Sequence, residues 1–151
     1  MGIPAPRTLP PTLEFMRLLW GVDHALQRRS KRMEAELGVT GPQRLAVRLV
    51  ARFPRISPSD LAETLRLHRS TVTGVLQRLE ERGFVRRAAD PRDGRRARLE
   101  LTAKGRSLDA LSKGTMEASV RRALARLSAA DVDGAARVLA ALTEELGRED
   151  R

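Results

Sequence analysis

Apolar residues recur at helical spacing along the first forty positions. Leu13, Met16, Leu19, Trp20, Ala25, Leu26, Met33 and Leu37 predict one long helix over 12–38. Thr12 is placed to cap it, Glu14 suits its first turn, and Gly38 suits the left-handed residue beyond its end. A second helix follows from Pro42 at its first position, with Thr40 or Gly41 as cap. Leu45, Val47, Leu49, Val50 and Phe53 form its apolar face, and Pro54 stops it. Ser57-Pro58-Ser59-Asp60 reads as a capping box that opens a short third helix, with Leu61, Ala62 and Leu65 inward. After a turn at Arg66-Leu67-His68, a fourth helix carries Val72, Val75, Leu76 and Leu79 on one face, and Gly83 closes it.

The period then changes from that of a helix to that of a strand. Phe84 to Ala88 and Ala97 to Leu101 alternate by two, and the turn between them is built from Asp90, Pro91, Asp93 and Gly94. Thr102 can cap a long fifth helix, which Gly105 and Gly114 weaken. Ser128 and Asp131 form a further capping box, opening a last helix with Val132, Val138, Leu139, Leu142 and Leu146 inward and Gly147 at its end. The fold class is therefore mainly α with a small β-hairpin wing. A winged helix-turn-helix lobe over 42–101 is flanked by long terminal helices over 12–38 and 102–151. Together they make a single domain over 12–151, preceded by a flexible arm over 1–11.

In a helix-turn-helix the second helix enters the major groove, with its N-terminal residues at the base edges. Here Arg69, Ser70, Thr73, Gln77 and Arg78 lie on the face opposite the apolar stripe, with His68 and Thr71 at the preceding turn. Arg pairs bidentately with guanine, Gln pairs with adenine, and Thr offers a hydroxyl and a methyl. Gly74 costs about 1 kcal/mol against Ala inside a helix, and a backbone pressed into a groove is a reason to keep it. At the wing tip Arg92, Arg95 and Arg96 repel one another, and phosphates or a narrow minor groove would relieve that repulsion. Asp90 and Asp93 are placed to hold these arginines extended by charge-assisted hydrogen bonds.

The charge supports this assignment. The net charge is +10 over 151 residues, which favours a polyanionic partner. Arg accounts for 26 of the 29 basic residues, so a codon bias toward Arg contributes to that excess. Its placement is more telling: Arg66 to Arg98 holds ten Arg against four acidic residues, +6 of the total. With no Cys, disulfides, thiolate zinc sites, iron–sulfur clusters and thiol redox sensing are excluded. His24 and His68 lie far apart, so neither a metal site nor a cofactor is expected. His68 belongs to the turn and His24 to a packed helix. No apolar run reaches the roughly 18 residues of a membrane span. The N-terminal stretch lacks the apolar segment of a secretory signal, so the expected location is cytoplasmic.

Ser57-Pro58-Ser59-Asp60-Leu61-Ala62-Glu63-Thr64-Leu65, Ser70-Thr71-Val72-Thr73 and Leu79-Glu80-Glu81-Arg82-Gly83-Phe84-Val85 together resemble the MarR family. So does the wing, Asp90-Pro91-Arg92-Asp93-Gly94-Arg95-Arg96, followed by Leu99-Glu100-Leu101-Thr102 and Gly105. Asp90, Arg92 and Arg95 match that family's D-x-R-x-x-R wing motif, and the resemblance covers nearly the whole chain. It implies an obligate homodimer with interlocked terminal helices that binds a palindromic operator in double-stranded DNA, most often as a repressor. It also implies that Arg92 enters the minor groove with support from Asp90. In many members a small phenolic or lipophilic ligand binds between the dimerisation and DNA-binding regions and weakens DNA binding.

For the dimer, the surplus apolar surface of the terminal helices points to Leu13, Met16, Leu19, Val138, Leu139 and Leu142. For the ligand pocket, the residues at the junction are Trp20, Leu45, Leu49 and Phe53, with Arg17 or Arg48 to meet a carboxylate or phenolate. Packing in the dimer core is the alternative role for Trp20. No Gly-rich phosphate loop, nucleophile motif or metal constellation marks an enzyme. Aromatic residues for stacking RNA bases are scarce, at 3%. The remaining alternative is a non-specific architectural DNA-binding protein, against which the base-edge groups of Thr73 and Gln77 argue.

Overall fold

Met33 is the only buried residue in a first helix of 27 residues, α1 (Pro11–Leu37). The core lies downstream, among α2 (Gly41–Arg52), α3 (Pro58–Leu65), α4 (Arg69–Glu81), β1 (Val85–Ala89), β2 (Ala97–Leu101) and α5 (Ala103–Asp109). A computed structural model describes residues 8–148. The chain divides into two compact units, Met1–Leu111 and Ser112–Arg151. Most of the arm read over 1–11 lies outside the described residues, and residue 11 already belongs to α1.

In the first unit the helix boundaries have local causes. Pro11, at the first position of α1, is preset for a helix and lacks one of the N–H groups that a helix start leaves unpaired. No side-chain cap forms, and Thr12 lies inside the helix instead of capping it. Gly38 ends α1 with φ 75°. At α2, Thr40 and Gln43 form a reciprocal capping box, the first of the two caps open to the sequence. Ser57 caps α3 by accepting from the Asp60 N–H at 3.1 Å, a one-way cap without the return bond of a capping box. Arg66 closes α3 in the left-handed region at φ 52°, with the Leu67 N–H donating back to the Ala62 carbonyl at 3.1 Å.

α2 carries two apolar stripes where the sequence reading merged them. Gln43, Ala46, Val47 and Val50 follow helical spacing into the core. Leu45, Leu49 and Phe53 run along another face, where Leu45 and Phe53 are exposed. Arg44 is buried, against the expectation for a charged side chain. Its guanidinium donates to the carbonyl of Leu108, to Asp109 O at 3.3 Å and to Leu111 O at 2.8 Å. These carbonyls lie at and just beyond the end of α5, where Leu108 O also accepts from the Leu111 N–H at 3.1 Å, and a fixed cation there meets the negative end of the helix.

Val72, Leu76 and Leu79 of α4 are buried against the same core, as expected. β1 and β2 pair antiparallel with Val85 opposite Leu101, Arg87 opposite Leu99 and Ala89 opposite Ala97. Leu99 N–H also donates to Ile56 O at 3.0 Å, which ties the hairpin to the segment between α2 and α3. Thr102 caps α5 through the Gly105 N–H at 3.0 Å.

The long fifth helix read from Thr102 onward is not one helix. α5 ends at Asp109, Gly114 takes φ 74°, and Thr115 then caps a separate α6 (Met116–Leu124) in the second unit. Gly105 stays inside α5, and a left-handed Gly114 followed by a fresh cap costs less than carrying this second glycine through a helix. α7 (Ala129–Leu146) opens on the reciprocal Ser128–Asp131 box, as the spacing predicts. Neither α6 nor α7 contains a buried residue, and Val138, Leu139 and Leu146 are exposed. Among the described residues no helix is long and apolar enough to cross a membrane.

Candidate nucleic-acid interface

α4 presents Arg69, Ser70, Thr71, Thr73, Gly74, Gln77 and Arg78 to solvent, with exposed His68 as its N-cap residue. His68 makes no capping side-chain bond, which leaves first-turn N–H groups uncapped at the positive end of the helix. Thr73 Oγ1 donates to Arg69 O at 2.8 Å, so its hydroxyl proton is engaged within the helix while the residue remains exposed. Gln77 Nε2 donates to Glu81 at 3.0 Å, an exposed pair that a stronger partner can replace. A Cβ added at Gly74 would meet nothing within 4 Å. Among the described residues, no packing therefore requires glycine at that position.

The wing tip differs from its sequence reading in one respect. Asp90 does not bind an Arg side chain at the tip. Its Oδ1 accepts from the backbone N–H of Arg92 at 2.9 Å, and its Oδ2 accepts from Arg98 Nε at 2.8 Å and Nη2 at 2.6 Å. The Arg92 amide first, and the Arg98 guanidinium second, hold the Asp90 carboxyl below the usual Asp range. Asp93 Oδ1 accepts from the Arg95 N–H at 3.1 Å, and its carboxylate lies 3.5 Å from Arg96 Nε. Arg98 was not anticipated. Hairpin register is the signal that finds it, since pairing Ala89 with Ala97 brings Arg98 back beside Asp90.

Arginines elsewhere in the lobe have assigned tasks. Arg86 pairs with Glu100 across the hairpin at 2.6 Å, and Arg87 reaches Glu80 of α4 at 2.6 Å. By contrast Arg69, Arg78, Arg92 and Arg95 are exposed, and their side chains make no hydrogen bond or ion pair among the described residues.

Among the described residues, those read as a ligand pocket have these surroundings. Arg17 pairs with Glu14 at 2.9 Å, Trp20 is 62% exposed, and Arg48 pairs with Asp109 at 2.7 Å. Leu45, Leu49 and Phe53 share the outer stripe of α2, with Arg52 over the Phe53 ring at 5.4 Å. A cleft of about 450 Å³ opens instead among Val50, Pro54, Arg55, Leu99, Arg106 and Asp109, and none of the six expected residues lines it. The expected dimer residues are uncovered in the single chain: Leu13, Met16, Val138 and Leu139 are exposed, and Leu19 and Leu142 are half-buried. His24 is exposed as well, where a packed position was expected.

The profile described as MarR family matches residues 37–96, which run from the end of α1 to the wing tip. HTH-type transcriptional repressor Rv2887 of Mycobacterium tuberculosis is 32% identical over 112 residues, covering 74% of this chain and 81% of that protein. The chain belongs to the MarR family. Transcriptional regulator HosA of Escherichia coli is 35% identical over 104 residues, 68% of this chain and 77% of HosA. The crystal structure of the transcriptional regulator SlyA superposes with TM-score 0.71 at 26% identity, covering 89% of this chain and 95% of SlyA. MepR of S. aureus, solved in a DNA complex, shares the fold at TM-score 0.70 and 18% identity, over 87% of this chain and 97% of MepR. Rv2887, HosA and SlyA are each described as transcriptional regulators or repressors. The winged helix-turn-helix and its hairpin are thus the family's DNA-binding fold carried on this chain.

Proposed function

We propose that this MarR-family regulator binds a palindromic operator as a homodimer and represses transcription in the cytoplasm. In this reading α4 lies in the major groove, where Arg69, Ser70, Thr73, Gln77 and Arg78 meet base edges, with His68 and Thr71 at the rim and Gly74 against the groove. Arg92 enters the minor groove, and Arg95 and Arg96 meet phosphates. The observation that supports it is the set of exposed arginines on α4 and the wing without side-chain partners among the described residues, Arg69, Arg78, Arg92 and Arg95. Cations that stabilise nothing inside the fold are what a polyanion recruits, because each neutralised phosphate releases counterions.

The repressor role follows the relative Rv2887, which carries that description. The second copy covers the exposed apolar faces of α1 and α7. A small phenolic or lipophilic effector acts at the outer stripe of Leu45, Leu49 and Phe53, with Trp20 and Arg17 of α1 and Arg48 of α2 as its further partners. It releases DNA only by binding two spacings of the recognition helices with different affinity.

The experiment is a footprint and binding titration, at fixed salt, on the promoter flanking the protein's own gene. One protected palindrome is expected, with Arg92→Ala weakening binding several-fold and Gln77→Ala or Arg78→Ala relaxing base preference by about 1–3 kcal/mol per contact. Uniform protection without a palindrome would instead favour an architectural role. Salicylate at or below millimolar concentration is expected to weaken the same complex. Unchanged binding across a panel of aromatic acids and lipophilic phenols removes the effector and leaves the DNA contact intact.

A further inference from the structure

The turn between β1 and β2 is well held internally. Asp90 N–H donates to Arg96 O at 2.9 Å and Arg96 N–H to Asp93 O at 2.9 Å. Those bonds shape the turn, yet they do not orient it on the lobe. Orientation comes from a separate brace. Arg98 directs two nitrogens at one oxygen of buried Asp90, and its Nη1 donates to Arg55 O at 3.4 Å. Arg55 lies between α2 and α3 and holds φ 65°, a left-handed conformation that an Arg adopts only at some cost. The backbone bond from Leu99 N–H to Ile56 O at 3.0 Å runs beside it. The same Asp90 carboxylate grips the N–H of Arg92 through its other oxygen. One guanidinium thus links the fixed α2–α3 corner to the residue whose exposed side chain leads the wing.

We propose that Arg98 is a positioning residue for Arg92, acting through Asp90 to hold the wing tip in its DNA-binding orientation. The proposal rests on the minor-groove role given to Arg92 above. A tip already fixed in place loses less conformational freedom on binding than one that must be ordered by the DNA. The planar fork of Arg makes the three contacts from one group, whereas a Lys ammonium supplies the charge without that geometry. A hairpin salt bridge with a purely structural role would lower stability when cut, without a specific link to Arg92.

Operator titration at fixed salt with Arg92→Ala, Arg98→Ala, Arg98→Lys and the double alanine variant tests it. Arg98→Ala is expected to weaken binding by about tenfold, and Arg98→Lys to restore only part of the loss. The double variant is expected to bind no more weakly than Arg92→Ala alone, since Arg98 then has nothing left to position. The Arg92 amide is expected to exchange its hydrogen faster once Arg98 is removed. Should Arg98→Ala fail to fold, Asp90→Asn takes its place, with the same non-additivity toward Arg92→Ala expected. Wild-type affinity in Arg98→Ala beside a weakened Arg92→Ala overturns the positioning role and leaves the wing contact standing. Losses that multiply in the double variant also overturn it. If Arg92→Ala itself binds like wild type, the wing contact fails.

Discussion

A Cβ on Gly105 would stand 2.0 Å from the carbonyl oxygen of Phe84. The first turn of α5 therefore lies directly on the backbone that leads into β1. The glycine that looks like a weak point in a helix is where two segments approach closely. Gly105→Ala is expected to destabilise the lobe by about 3 kcal/mol, because a backbone oxygen cannot rotate aside as a side chain can. A urea-unfolding midpoint equal to that of the wild type would contradict this.

Gly74 should behave in the opposite way. With nothing within 4 Å of an added Cβ, Gly74→Ala is expected to gain up to about 1 kcal/mol of stability from helix propensity. It is also expected to weaken operator binding, because the methyl faces the groove. Greater stability with unchanged affinity would mean that α4 does not approach DNA along this face.

Arg44→Met leaves the carbonyls of Leu108, Asp109 and Leu111 without this donor. Methionine fills much of the volume but donates nothing. A loss of roughly 3 kcal/mol in unfolding free energy is expected. Calorimetry of the variant checks it, and an unchanged melting temperature counts against the buried cap.

Asp90 makes the wing sensitive to acid. Its folded carboxyl is held below the usual Asp range by the Arg92 amide and then by the Arg98 guanidinium. The unfolded chain therefore takes up the proton more readily than the folded wing. The contribution is complete above the ordinary Asp value of about 3.9 and is lost as pH falls below it toward the folded value. The gap in urea midpoint between wild type and Asp90→Asn is expected to be wide near neutrality and to close below about pH 4. A gap that widens on acidification contradicts the assignment.

Leu13 and Leu139 are 50% and 56% exposed in the single chain. If a second copy covers them, light scattering finds a dimer at micromolar concentration, and Leu139→Glu shifts it toward monomer. A wild-type monomer under those conditions removes the proposed dimer.

Much of this molecule is legible from local chemistry. The change from helical to strand period after Gly83, the caps at Thr40, Ser57, Thr102 and Ser128, and the turn chemistry of Asp90 to Gly94 each act within a few residues. The order of helices around the hairpin follows from them. The outward face of α4 is legible for the same reason, since Val72, Leu76 and Leu79 fix which side is buried. The break of the fifth helix was harder to read, because Gly114 and Thr115 mark a stop only once α5 is known to end at Asp109.

Tertiary structure decided the rest, and the deciding partners are distant in sequence. Arg44 is buried because α5 ends beside α2, some 64 residues later in the chain. Leu45 of α2 and Phe53 at its C-cap are exposed because only one stripe of the helix faces the core. Asp90 binds Arg98, and not an Arg side chain at the wing tip, because the strand register returns Arg98 to its side. Periodicity and capping are properties of neighbouring residues, so the chain carries them by itself. Which charge meets which carbonyl depends on how separate elements pack, and only the assembled fold specifies that.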